Sequence, residues 1–376
     1  MAPRTVLVTG ATGLLGREVV AAFRLRGEWN VKGTGYSRAD GVDILKVDLE
    51  SGADIAKIID EIRYVLLLLH FAASYSRHKD TYANEILLNG RQTAGGSSLY
   101  ELKCPLLSGD TVVEHLVRIA DIFSLSLGAA QRFPDKVDKD PEAARALNIT
   151  GSKSLASVTA ARDILLIYIS TDYVFPGRPG DAPYEADAAP APTNLYGQTK
   201  LDGEKAVLEE YSVAGKEGLG VILRVPVLYG HAETPSESAV NVLMDSVWKA
   251  QTEGTKIKMD HWAIRYPTNT GDIGRICHDV ATKYLDSGNR KDLPQTLQFS
   301  SEDKMTKYEI CQVFGDIMGL SIANIEPNTE GNDPNASVQR PYDCHLSTRE
   351  LKNLGIDVST SDFVSWWRRE VRAFRK

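Results

Sequence analysis

Thr5-Val6-Leu7-Val8-Thr9-Gly10-Ala11-Thr12-Gly13-Leu14-Leu15-Gly16 is the stretch whose reading decides the fold. An apolar run rich in β-branched residues breaks into glycines and resumes at helical spacing through Leu15, Val19, Val20 and Phe23, which predicts strand, tight turn, helix. Nucleotide phosphate belongs at such a turn. Gly10 permits the turn, Gly13 lets the backbone approach a pyrophosphate, and Gly16 lets the helix pack closely on the strand. The helix N-terminus attracts the negative charge. The spacing is GxxGxxG rather than GxGxxG, and its weight comes from the strand before it and the helix after it.

The 376 residues are 25% charged and 43% hydrophobic, an ordinary globular composition that fits one large domain or two closely joined ones. A net charge of -7 and a pI near 5.6 argue against nucleic acid or an anionic membrane as the main partner. The first strand begins by Thr5, which leaves no room for a leader, and the longest aliphatic run, Val65 to Leu69, is too short to span a bilayer. A cytoplasmic protein is the expectation. Cys104, Cys277, Cys311 and Cys344 are scattered, with no CxxC pair and no metal-ligand spacing, so reduced thiols and no metal are expected.

After the first helix, Asn30 to Thr34 reads as a second strand. Where an NAD-binding unit carries an acidic residue for the ribose 2′-hydroxyl, this chain has Tyr36, Ser37 and Arg38. A hydroxyl and a guanidinium suit a 2′-phosphate, which favours NADP over NAD; a solvated loop arginine is the alternative. Val42 to Leu49 reads as a short third strand ending in Asp48 and Leu49, beside the adenine. Ile55, Ile58, Ile59 and Ile62 mark a helix. Two segments then compete for one strand end, Leu66 to Ser74 and Phe123 to Gln131, and the second runs on into a helix-compatible stretch from Pro141 to Ala161. Residues 74–120 are then a long insertion with some helix, for example Val112 to Phe123, or translated intron in a faulty gene model.

Ile164 to Ile169 is continuously apolar, as a strand buried on both faces of a parallel sheet would be, and it ends in Ser170-Thr171-Asp172. Ligands of open α/β sheets lie at that end of the strands. Asn194-Leu195-Tyr196-Gly197-Gln198-Thr199-Lys200 then enters a helix, with Tyr196 and Lys200 on one face. An ammonium beside a tyrosine stabilises its phenolate, so Tyr196 would protonate a carbonyl as hydride arrives from nicotinamide, and Lys200 would bond the nicotinamide ribose. Thr171, or Ser170, would bond the same carbonyl oxygen. Val221 to Val225 is another buried strand. Helical stretches follow at Ser238 to Gln251, Gly271 to Leu285, Met305 to Met318 and Ser347 to Leu354. His261, Trp262 and Arg265 either line a sugar or acid pocket or pack a loop. The aromatic, basic stretch from Phe363 to Lys376 is either a helix docked on the core or a contact for another chain.

VTGATGLLG, STDYVF (170–175), NLYGQTKLDGEKAVL (194–208) and LRVPVLYG (223–230) resemble the extended short-chain dehydrogenase/reductase superfamily and its dTDP-4-dehydrorhamnose reductase group. Met259-Asp260-His261-Trp262 with Arg265-Tyr266-Pro267-Thr268, Met305-Thr306-Lys307-Tyr308-Glu309 and Gln339-Arg340-Pro341 resemble, more narrowly, the regulatory beta subunits of methionine adenosyltransferase. The resemblance covers 1 to about 63 and about 128 to 376. It implies a Rossmann-type doubly wound parallel sheet (1–230, NADP-binding) with a smaller C-terminal substrate-type α/β region (231–376). By family motif NADP would touch Thr12, Gly13, Leu14, Leu15, Tyr36, Ser37, Arg38, Asp48, Leu49, Arg132, Tyr196, Lys200 and Leu228. It implies a hetero-oligomer with the catalytic subunit that makes S-adenosylmethionine, although the ending Arg372-Ala373-Phe374-Arg375-Lys376 departs from the tail through which that family reaches its partner. Two functions stand open: a regulatory subunit in which Thr171, Tyr196 and Lys200 only hold cofactor, or an NADPH-dependent reductase of a nucleotide-linked keto sugar.

Overall fold

Arg4–Val8 (β1) and Leu14–Leu25 (α1) flank the glycine turn, as the spacing predicts. The computed structural model describes residues 4–35, 43–47, 51–62, 65–70 and 134–373, of which 65–70 are described by their backbone. Val6 and Val8 of β1 and Val19 and Phe23 of α1 have no exposed surface, so the apolar stripe of the helix faces the core. Trp29–Gly35 (β2), Ile44–Lys46 (β3), Gly52–Glu61 (α2), Val65–His70 (β4), Leu165–Thr171 (β5) and Gly220–Val225 (β6) follow. Every pairing is parallel, and the order is β6-β5-β4-β1-β2-β3 with Thr296–Gln298 added beyond β6.

α1 packs with Thr270–Asp286, while Ser152–Ala160 packs with both α2 and Leu195–Val213. Covered on both faces, β5 is buried at all seven positions, which is why its sequence is apolar without alternation. The result is the expected Rossmann-type doubly wound sheet. Chain direction across it reverses between β1 and β4, so the crevice for a ligand opens at the carboxyl ends of these strands.

Two details differ from the sequence reading. The strand between β1 and β5 is Val65–His70, the first candidate; the second candidate and the 74–120 segment lie outside the described residues. The helix expected over 141–161 changes register, with Pro141–Arg145 and Ser152–Ala160 α-helical and Ala146–Gly151 a π turn. The wider turn brings the Asn148 carbonyl where a Cβ on Gly203 would lie 2.5 Å from it, and Asn148 Nδ2 donates to Thr199 Oγ1 at 3.0 Å. A close helix contact explains the distortion.

A second core gathers Tyr229, Leu243, Val247, Ile310, Phe314, Phe363 and Trp367 beside a two-stranded parallel sheet of Ile257–Asp260 and Ile325–Asn328. Phe363–Glu370 is docked there, with Phe363 1% and Trp367 2% exposed, which is the first of the two readings of the tail; residues 374–376 lie outside the described residues. Cys277, Cys311 and Cys344 are buried free thiols, and Cys104 lies outside the described residues. Among the described residues no helix is long and apolar enough to cross a membrane.

Candidate functional site

The glycine turn is built from backbone geometry that side chains would spoil. Gly10 sits at φ 61°, and its carbonyl accepts the Gly13 N–H at 2.9 Å. A Cβ on Gly16 would lie 2.1 Å from the Gly10 oxygen, so glycine alone lets the first turn of α1 rest on the strand end. Gly13 caps α1 without a side-chain hydrogen bond, and no acidic residue stands in the first turn. The end of α1 is therefore left for an anion. Thr12 accepts Arg17 Nη1 at its carbonyl, 2.8 Å.

From this turn a cavity of about 290 Å³ runs along the carboxyl ends of β5 and β6. It brings together Gly10, Gly13, Leu14, Leu15, Gly16, Thr171, Tyr196, Lys200 and Leu228 of the expected set. Thr12 lies in the turn itself. Tyr36, Ser37, Arg38, Asp48, Leu49 and Arg132 lie outside the described residues.

Tyr196 is fixed by the start of its helix. Asn194 Oδ1 accepts the Gly197 N–H at 3.0 Å, and a Cβ on Gly197 would lie 2.1 Å from the Tyr173 oxygen. Tyr196 and Lys200 share a face, as their spacing requires, and both line the cavity. Lys200 Nζ donates to the Ile169 carbonyl at 2.7 Å and lies 4.0 Å from the Tyr168 ring centre. Burial brings its pKa down to about 7 against a partial opposing pull from Glu204.

That shift has a sign. Between pH 7 and 10.5 the unfolded chain holds a proton on Lys200 that the folded chain has released, so stability rises with pH through this window. The difference in unfolding free energy between the unaltered protein and Lys200→Met is expected to rise from pH 7 to 9, followed by urea denaturation without cofactor. A flat difference would mean that the ammonium is as well solvated in the fold as out of it.

Thr171 donates its hydroxyl to Asp172 Oδ1 at 2.9 Å and accepts the Tyr173 N–H at 3.2 Å. Burial pushes the Asp172 carboxyl up to about 6, with Arg265 opposing. Ser170 Oγ, the alternative to Thr171, is buried with no partner among the described residues.

The cavity is also lined by residues not read as site residues in the sequence: Asp172, Glu237, Lys307 and Arg340, joined by Arg265. They lie far apart in sequence, and no spacing marks them. The three segments that carried the narrower resemblance meet here. Arg265 pairs with Met305 through two backbone bonds of 2.8 and 2.9 Å, its Nη1 donates to the Pro341 carbonyl at 3.2 Å, and Asn194 Nδ2 donates to the Gln339 carbonyl at 3.0 Å. His261 Nδ1 meets Thr306 Oγ1 at 2.9 Å, and the Trp262 ring centre lies 5.1 Å from that of Tyr342. His261 and Trp262 thus hold loops together, and Arg265 alone of the three reaches the cavity.

The model of the RmlD substrate binding domain family matches residues 109–374. The methionine adenosyltransferase 2 subunit beta of Pongo abelii is 34% identical over 357 residues, 95% of this chain and 84% of that protein. Its counterpart from Danio rerio is 32% identical over 96% of this chain and 88% of that protein. Among solved structures, dTDP-4-dehydrorhamnose reductase from Bacillus anthracis in complex with NADP matches with TM-score 0.66 at 18% identity, covering 98% of each chain, a likeness of fold. By these matches the chain belongs to the RmlD substrate binding domain family and, within it, to the family of methionine adenosyltransferase 2 beta subunits.

Proposed function

We propose that this chain is a non-catalytic, NADP-binding regulatory subunit that joins a methionine adenosyltransferase catalytic subunit in the cytoplasm and modulates S-adenosylmethionine synthesis. The observation that carries the reading is the breadth of its likeness to the beta subunits, 34% identity across 95% of the chain. In this reading residues 1–230 hold the nucleotide and 231–376 form the smaller, partner-facing region.

The residues fit NADP. The uncapped end of α1 and the bare backbone of the glycine turn suit a pyrophosphate, and Ser37 and Arg38 suit a 2′-phosphate. Leu228 and the Tyr196 and Lys200 side chains would border the nicotinamide end, with Asp48, Leu49 and Arg132 around the rest. Hydride transfer is the chemistry the cofactor supplies when bound. Thr171 donates its one hydroxyl hydrogen to Asp172 rather than into the cavity, which supports a holding role over a catalytic one. The second reading, an NADPH-dependent reductase of a nucleotide-linked keto sugar, is favoured by one observation: Thr171, Tyr196 and Lys200 line one cavity.

Co-expression with a methionine adenosyltransferase catalytic subunit, capture through a tag on this chain and quantification with and without NADP tests the proposal. Near-stoichiometric recovery with altered S-adenosylmethionine synthesis is the expected result. No recovery, together with NADPH oxidation by dTDP-4-dehydrorhamnose, would replace it with the reductase.

A further inference from the structure

We infer that the part of the cavity lined by Arg265 and Lys307 is a receptor for a small oxyanion, a carboxylate or phosphate, distinct from the nucleotide seat at the glycine turn. This goes beyond the regulatory reading and rests on it only in taking NADP as the occupant of the rest of the cleft.

Two of the cations here, Arg265 and Lys307, have no hydrogen-bonded acid among the described residues. Arg265 is 6% exposed, lines the cavity and spends Nη1 on the Ile264 and Pro341 carbonyls, while its Nη2 has no hydrogen-bond partner among the described residues. Nearby Tyr173, Asp172 and Asp260 favour the guanidinium's charge against its burial, but the buried Nη2 is left without the acceptor it needs. Lys307, on the first turn of Lys307–Met318, lines the same cavity, and no described group lies within hydrogen-bond distance of its ammonium. Burial and the nearby Arg265 and Arg340 lower its pKa, so three cations face one another there.

The acids nearby are already engaged. Asp135 takes Arg340 at 2.7 and 2.8 Å, Glu237 takes Arg17 at 2.7 Å, and Asp260 accepts the Trp262 and Ala263 N–H groups at 2.9 and 3.1 Å. Asp172 accepts from Thr171, and burial favours its neutral form. Arg265 and Lys307 thus lack a hydrogen-bonded carboxylate. A planar carboxylate or a phosphate supplies the acceptors they lack.

The test is titration calorimetry of the full chain saturated with NADP, so that the glycine turn is filled, using malonate and inorganic phosphate as probes against potassium chloride at matched ionic strength. Binding of one or both is expected, with affinity at least tenfold weaker in Lys307→Gln, kept in Lys307→Arg, and NADP affinity equal in all three. Which probe binds separates a carboxylate from a phosphate site. In the unaltered protein, affinity should also fall as pH rises toward the ordinary lysine value and Lys307 discharges below it, which keeps the inference testable should Lys307→Gln not fold. No binding beyond chloride, equal binding in Lys307→Gln, or a flat pH dependence would overturn it. A failure of NADP to bind, read in its own titration, bears on the nucleotide reading instead.

Discussion

Glu204→Ala is expected to lower the unfolding free energy by about 3–5 kcal/mol, the loss typical of removing one partner from a buried ion pair. Arg224 Nε and Nη2 meet the two Glu204 oxygens at 3.0 and 2.8 Å, and the side chains are 6% and 4% exposed. The pair ties β6 to the Tyr196 helix, the element that presents Tyr196 and Lys200. Arg224 also donates to the Ala186 carbonyl at 3.2 Å and lies 5.1 Å from the Phe175 ring centre, so it anchors the loop between β5 and that helix. Without Glu204 the guanidinium stays buried with neutral acceptors only. Arg224→Met strands the carboxylate instead, and the double variant Glu204→Ala/Arg224→Met should cost clearly less than the two single losses summed. Urea denaturation of the four proteins measures this cycle. Additive losses would show that the two side chains act separately, and the ion pair would then explain nothing about the position of the helix.

Neither partner of that pair announces itself in the sequence. Glu204 reads as one more charge on a helix, and Arg224 interrupts an apolar run that still reads as a strand. Their burial follows from a tertiary contact between elements 20 residues apart. By contrast β1, the glycine turn and β5 were legible because each carries its cause locally, in a continuous apolar run or a glycine where the chain must turn. β4 was ambiguous because two segments offered comparable runs, and pairing with β1 and β5 decides between them. Thr296–Gln298 is too short to show a period and is a strand because β6 offers an edge. Within the site, Tyr196 and Lys200 were legible from their spacing, yet the partner of the Lys200 ammonium, the Ile169 carbonyl, was not, since it depends on where β5 ends beneath the helix. The lining formed by Arg265, Lys307 and Arg340 needs two loops and a helix start to converge, which no linear pattern records.

Gly16→Ala is expected to weaken NADP binding at least tenfold and to cost about 1–3 kcal/mol of stability, the range for overpacking a close contact. The new Cβ would stand 2.1 Å from the Gly10 oxygen, 2.8 Å from its carbon and 2.9 Å from the Ala11 Cα. All three are backbone atoms, so no rotamer change relieves the clash; α1 must lift off the strand end or the turn must open. α1 is held from behind by its packing with Thr270–Asp286, so the turn yields first. Opening it disturbs the Gly13-to-Gly10 bond of 2.9 Å and moves the N–H groups on which a pyrophosphate would rest. Gly288→Ala is the matched control, because nothing lies within 4 Å of a Cβ there, and it should leave both stability and NADP affinity within error or raise stability slightly. Isothermal titration with NADP and urea denaturation of both variants separate the outcomes. Loss of affinity larger than the loss of stability accounts for would locate the nucleotide at the turn. Stability lost with affinity intact would mean that the contact between Gly16 and Gly10 serves packing alone and that NADP, if bound, rests elsewhere along the strand ends.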